Sequence, residues 1–295
     1  MMLPGTSDVL HRSRRSLHRP SLAAAVAFLV LATPVFAQDA KDQMAAFIDA
    51  SADQFGETAQ EIWELAEVGY METESSETLQ GLLRAEGFEI AAGVAGIPTA
   101  FVASWGGGGP VIGIMGEYDA LPGINQSRSA ERDPIPGKIA GHACGHHLFG
   151  TGSVAAAMAV KDWLEETGTP GTVRVYGTPA EEGGAGKVYM VRAGLMNDVD
   201  AMLHWHAGSR NDASASSSLA NKSAKIRFYG QSAHAAAAPW RGRSSLDGVE
   251  AMHDMINMMR EHVTPASRIH YVITAGGFAP NVIPDFAESY IYVRH

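Results

Sequence analysis

The sequence predicts an α/β protein, a layered domain on a mostly parallel sheet followed by a smaller α+β domain. Two observations carry that expectation. Apolar runs of strand length alternate with segments of helical periodicity through the first two thirds of the chain, the pattern of strands joined by crossover helices. After Ser218 the order changes to a strand, one long helix and two further strands.

The elements follow in order. Between Asp39 and Gly87 apolar residues recur at helical spacing (Phe47, Ile48; Ile62, Leu65, Ala66; Leu79, Leu82, Leu83), so this region reads as helix. Thr99 to Trp105 and Val111 to Met115 read as strands separated by the glycine turn Gly106 to Gly109. Ser153 is placed to cap a helix running to Glu166, ended by Gly168 and Pro170. A strand at Val173 to Tyr176, a short helix near Lys187 to Ala193 and a strand at Asp200 to Trp205 come next. Beyond the serine-rich stretch 209–218, where a domain boundary is expected, Ala224 to Tyr229 reads as a strand. Leu246, Val249, Met252, Ile256 and Met259 trace one helix face, with the methionines expected in the core. Arg268 to Thr274 and Phe286 to Val293 read as the last strands. The chain stops inside the final one, so an incomplete second domain is expected. The expected division is 1–37, 38–218 and 219–295.

Residues 1–37 read as an address. Arg12, Arg14, Arg15 and Arg19 precede an apolar run from Leu22 to Ala32 and then Val35-Phe36-Ala37, the order of a secretory signal cleaved after Ala37. The run is too short to span a bilayer comfortably, so no stable membrane insertion is expected. Ser13-Arg14-Arg15-Ser16-Leu17 resembles a twin-arginine signal, which would make the protein exported, periplasmic or secreted. The formal charge is −10, and −13 once the signal's four Arg and Asp8 are removed, which argues against nucleic acid as a partner. The single Cys excludes an internal disulfide.

Three strands of the first domain lead into chemically capable residues. Val111 to Met115 leads to Glu117 and Asp119, Val173 to Tyr176 to Glu181 and Glu182, and Asp200 to Trp205 carries His204 and leads to His206. In open α/β sheets the ligand crevice lies outside the carboxyl ends of the strands. A fourth contribution is Gly141-His142-Ala143-Cys144-Gly145-His146-His147. If it is extended, His142, Cys144 and His146 share a face, and Cys and His so close together point to a metal site. A Cys–His nucleophile pair is the rival functional reading, and it leaves the glutamate pair without a task. Metal-centred hydrolysis needs one carboxylate as ligand and another to take a proton, a task the adjacent Glu181 and Glu182 suit. A strand period of two puts His204 and His206 on one face, so spacing does not choose between them. Arg241 and Arg243 are the candidates to hold a substrate carboxylate.

These motifs together resemble the aminoacylase/carboxypeptidase superfamily of dinuclear-metal amidohydrolases: Gly116-Glu117-Tyr118-Asp119-Ala120-Leu121-Pro122-Gly123, the His142 to Phe149 loop, Thr178-Pro179-Ala180-Glu181-Glu182-Gly183-Gly184 and Leu203-His204-Trp205-His206. Within it, the likeness is to the p-aminobenzoyl-glutamate hydrolases. Ser232-Ala233-His234 and Gly277-Phe278-Ala279-Pro280-Asn281 resemble that family's lid. The resemblance implies a catalytic domain with an inserted α+β lid (dimerisation) domain, truncated at the C-terminus. It implies two divalent metal ions, Zn or Mn, with Cys144 bridging and His146, Glu182 and His206 as further ligands. Glu181 would be the general base, Asp119 would orient a ligand, His234 would donate to the oxyanion, and Asn281 would touch substrate. The implied activity is cleavage of the amide of an N-acyl or aroyl amino acid, such as p-aminobenzoyl-glutamate, by metal-activated water, in a homodimer formed through the lid. Relatives continue beyond His295 and supply one more histidine ligand there. The alternative is an inactive fragment or a non-catalytic metal- or ligand-binding partner subunit. His142, His147 and His204 receive no role.

Overall fold

The computed structural model describes residues 38–213 and 217–295. The expected export signal lies outside the described residues, as do three positions of the serine-rich stretch. The described chain divides into two compact units, the first ending at Ser209 and the second running from Arg210 to His295.

In the first unit, helices α1 (38–50), α2 (Ala52–Leu65) and α3 (Thr73–Ala85) precede the edge strand β1 (Glu89–Ala92). Then come β2 (Phe101–Gly107), β3 (Val111–Gly116), the two-residue strands β4 (Leu121–Pro122) and β5 (Ala140–Gly141), α4 (His146–Thr167), β6 (Gly171–Gly177), α5 (Gly186–Arg192) and β7 (Ala201–Leu203). The main sheet has the order β1-β2-β6-β3-β7. β3 runs parallel to β6 and to β7, while β1 and β2 add an antiparallel edge. The three parallel strands are those that lead into the chemically capable residues.

The core explains the helices. Phe55 and Ile62 of α2, Leu79 and Leu83 of α3 and Phe149, Val154 and Met158 of α4 are buried together with Phe101, Ile114, Val173 and Val175 of the sheet. Burying apolar stripes against a sheet is what makes these segments helical. α4 opens eight residues earlier than expected. Its N-cap is Gly145, at φ +84°, a left-handed conformation that costs glycine least. Ser153 is therefore no cap. It lies buried within α4, and its Oγ donates to the Met115 carbonyl at 2.7 Å, tying the helix to β3.

The second unit is an antiparallel sheet, β8 (Asn221–Tyr229), β10 (Phe286–Arg294) and β9 (Arg268–Ala275) in that order, with α6 (Ser245–Met259) packed on β8 and β10. Ser244 caps α6 by accepting from the Asp247 backbone N–H at 3.1 Å. Val249 and His253 form the buried face. The expectation that this helix's methionines are core fails at Met259, which is exposed like Met255 and Met258. His253 takes the inner position instead, its Nε2 paired with Ser289 Oγ at 2.7 Å. No helix among the described residues is long and apolar enough to cross a membrane.

Candidate metal centre

The site is assembled from four loops at the carboxyl ends of the parallel strands. β3 delivers Glu117 and Asp119, both buried. The turn after β6 delivers Glu181 and Glu182. The segment after β7 delivers His204 and His206, and the loop into α4 delivers Cys144 and His146. Donor atoms of Cys144, His146 and His206 all lie within 4.8 Å of one another, and so do those of Glu117, His146 and Glu181. Cys144 Sγ is 3.3 Å from His206 Nε2.

His146 is the hinge between the two groups. It is fully buried, and its Nδ1 donates to Asp119, with Oδ1 at 3.0 Å and the backbone carbonyl at 3.0 Å. Burial alone would lower its pKa, but the Asp119 carboxylate outweighs that and holds it above the usual value. With Nδ1 engaged by Asp119, the buried Nε2 makes no hydrogen bond and faces Glu117 Oε2 at 3.1 Å. A carboxylate-oriented imidazole with an unused inner nitrogen is the arrangement of a metal-ligating histidine. Asp119 also accepts the Glu182 backbone N–H at 2.8 Å through Oδ2, so one carboxylate positions both a ligand histidine and the glutamate turn.

That turn is held from beneath. The buried Glu72 accepts the Ala180 N–H at 2.7 Å and the Thr99 hydroxyl at 3.0 Å, and Tyr70 donates to the Gly184 carbonyl at 2.6 Å. Burial raises the Glu72 carboxyl. Ala180, at φ +56°, and Gly183, at φ +95°, bring the chain round so that the exposed Glu181 and half-buried Glu182 face one region.

The donor set fits a divalent cation. Burial and the facing Glu182 push the Cys144 thiol up to about 12, and burial and Glu181 raise Glu182. Four carboxylates and a thiol gather here against Lys187, whose ammonium pairs with Glu117. A cation in their midst is what would let these groups ionise together.

Not every expected residue converges. His142 is turned away: its Nε2 donates to the Ile62 carbonyl at 3.0 Å, and burial, then His147, lowers it to about 4. The loop is not uniformly extended, because His146 already belongs to α4, so the shared face expected for His142, Cys144 and His146 does not exist. His147 packs on His142 and is likewise held near 4 by burial. β7 ends at Leu203, and His204 and His206 take different neighbours. His204 meets Glu117 at 3.5 Å and Phe149 edge-on, while His206 meets Cys144. His234 and Asn281 belong to the second unit. There His234 Nδ1 accepts from the Ala236 and Ala237 N–H groups, both at 3.2 Å, and the Asn281 carbonyl accepts from Ala235 N–H at 3.0 Å. Sequence reasoning left Glu117, Lys187, Glu72 and Tyr70 without tasks. Only Glu117 carried a signal, its place at the end of a strand.

Fold and donor set define an α/β protein with a candidate cation centre at the carboxyl ends of parallel strands. Residues 113–282 match the peptidase family M20/M25/M40, and the chain belongs to that family. It is 45% identical over 250 residues to a p-aminobenzoyl-glutamate hydrolase subunit of Escherichia coli, an alignment covering 84% of this chain and 52% of that protein. Among solved structures, a putative aminohydrolase from methicillin-resistant Staphylococcus aureus shares the fold with a TM-score of 0.60 at 20% identity, covering 86% of this chain and 66% of that one. A Bacillus subtilis dinuclear metal binding peptidase of the M20 family does so with a TM-score of 0.52 at 24% identity, over 84% of this chain and 65% of that one. The chain spans about half the length of the curated relatives it matches.

Proposed function

We propose that this chain works as a metal-dependent amidohydrolase, cleaving the amide of an N-acyl or aroyl amino acid of the p-aminobenzoyl-glutamate kind. The observation that carries this reading is the convergence of Cys144, His146 and His206 beside Glu181, with the buried His146 Nε2 making no hydrogen bond. The 45% identity to a protein named as such a hydrolase supports it.

Cys144, His146, Glu182 and His206 would hold two divalent ions. Two divalent ions, Zn²⁺ or Mn²⁺, would supply Lewis acidity toward the scissile carbonyl and acidify water. Glu181, exposed at the mouth, takes the proton as the water oxygen bonds to the carbonyl carbon. It returns that proton to the nitrogen as the C–N bond breaks, giving a carboxylic acid and an amine. Asp119 holds the His146 ring in register throughout. Because His234 Nδ1 accepts two backbone N–H groups, its proton resides on Nε2, which suits it to donate to the developing oxyanion. Asn281 contacts the substrate.

The test is hydrolysis of p-aminobenzoyl-glutamate and a panel of N-acyl amino acids by the gene's full product, with Mn²⁺ or Zn²⁺ added. Absence of hydrolysis across the panel, with metal bound, would favour a non-catalytic metal-binding subunit. We also propose that the protein associates through its second unit, as a homodimer or with a different polypeptide, since the similar Escherichia coli protein is named a subunit. Light scattering at a monomer's mass would reject that. Export through residues 1–37 is proposed on their sequence, and Arg14→Lys with Arg15→Lys should trap the protein inside the cell. Unchanged export would reject the twin-arginine route.

A further inference from the structure

This inference rests on the metal-centre reading and adds a ligand that the motif resemblance assigns to no residue. Glu117 follows β3 directly, and its side chain is 3% exposed; the His146 side chain that it meets is fully buried. Glu117 Oε2 stands 3.1 Å from His146 Nε2, an ion pair when the imidazole is protonated, while Nδ1 of the same ring is engaged by Asp119. The distance has another meaning in coordination chemistry. Donors bonded at about 2.0–2.2 Å to one ion lie roughly 3.0–3.4 Å apart along an edge of the polyhedron. Glu181 completes the group, with one donor atom from each of the three residues within 4.8 Å of the others.

The other oxygen of Glu117 is already engaged. Lys187 Nζ, from α5, pairs with Oε1, and His204 Nε2 lies 3.5 Å from that same oxygen. The carboxylate is thereby turned so that Oε2 alone faces His146. We propose that Glu117 ligates, through Oε2, the divalent cation held by His146 Nε2, while Lys187 anchors the opposite oxygen. A carboxylate ligand beside the imidazole makes this position harder than the one His206 would serve, and harder donors favour Mn²⁺ over softer ions.

The experiment uses full-length protein stripped with chelator. Mn²⁺ binding is followed by the loss of the free-ion electron paramagnetic resonance signal, and Co²⁺ binding by visible absorption. Glu117→Gln should weaken Mn²⁺ binding at one position by at least about tenfold and alter the Co²⁺ bands. Glu117→Asp, which keeps the charge but shortens the reach, should do the same to a smaller degree. Lys187→Met should retain the wild-type ion count, with affinity changed only a few-fold. Wild-type Mn²⁺ affinity and Co²⁺ spectrum in Glu117→Gln would overturn the proposal. It would be overturned equally if Lys187→Met reproduced the whole loss, since Glu117 would then act only as an ion-pair partner. Cys144→Ala separates this claim from the one beneath it. If that variant loses its ions while Glu117→Gln keeps them, only the Glu117 assignment falls; if it keeps both ions, the metal centre itself falls.

Discussion

At the residue scale the division of labour between the two adjacent glutamates is the sharpest claim. Glu181 is exposed and Glu182 is half-buried against Cys144. Glu181→Ala should abolish turnover with metal content near wild type, measured by elemental analysis beside the hydrolysis assay. Loss of metal would make Glu181 a ligand instead. Cys144→Ala should lose metal outright. His142 and His147 give a prediction in pH. Their folded pKa values near 4 lie below the ordinary 6.5, so the unfolded chain takes up protons first as pH falls. Stability should therefore drop between about pH 6.5 and 4, by up to about 1.4 kcal/mol per pH unit for each histidine. Urea midpoints at pH 7, 6 and 5, taken with chelator present, test this. His147→Gln should flatten the dependence, and a midpoint constant across that interval would refute it.

The residues of the centre were legible in unequal measure. The Glu181-Glu182 doublet stands out because it follows a strand and Pro179 and precedes Gly183-Gly184, and the Cys144-Gly145-His146 cluster because a thiol and imidazoles rarely gather so closely outside metal or nucleophile sites. Glu117 does not stand out, because a lone carboxylate gains meaning only from the imidazole brought to it by α4. His142 misled because the loop looks extended from spacing alone, whereas the left-handed Gly145 turns the chain into a helix at His146.

At the scale of elements, the strands were readable as apolar runs and most helices from their stripes. The start of α4 was not, because Gly150 and Gly152 dilute its helical signal and Ser153 imitates a cap. The exit of the glutamate turn into α5 is tightly constrained. A Cβ on Gly186 would come 2.1 Å from the Pro179 carbonyl oxygen, a backbone atom unable to step aside. Gly186→Ala should cost about 1–3 kcal/mol and displace Glu181 and Glu182 together. Calorimetry and metal content would both register it; a variant unchanged in either would show the turn to be more compliant than its packing implies.

At the scale of the molecule, the described chain divides into two compact units after Ser209, at the start of a polar, serine-rich stretch. Arg210, exposed at this junction, should be an early site of tryptic cleavage under native conditions, yielding a fragment whose first residue is Asn211. Mass spectrometry of the first products checks it. Persistence of the junction while cuts appear inside β6 or α4 would contradict the division.

The place of β6 in the main sheet has a consequence for how the protein is made. β2 and β3 are neighbours along the chain but not in the sheet, because β6 lies between them and bonds to both. As the polypeptide leaves the ribosome, β2 and β3 must wait some sixty residues for the strand that joins them. His206 follows Cys144, His146 and Glu182 along the chain. If these residues hold cations as proposed, the nascent chain would emerge with that pocket open on one side, and loading would be a late event of biosynthesis rather than a seed for it.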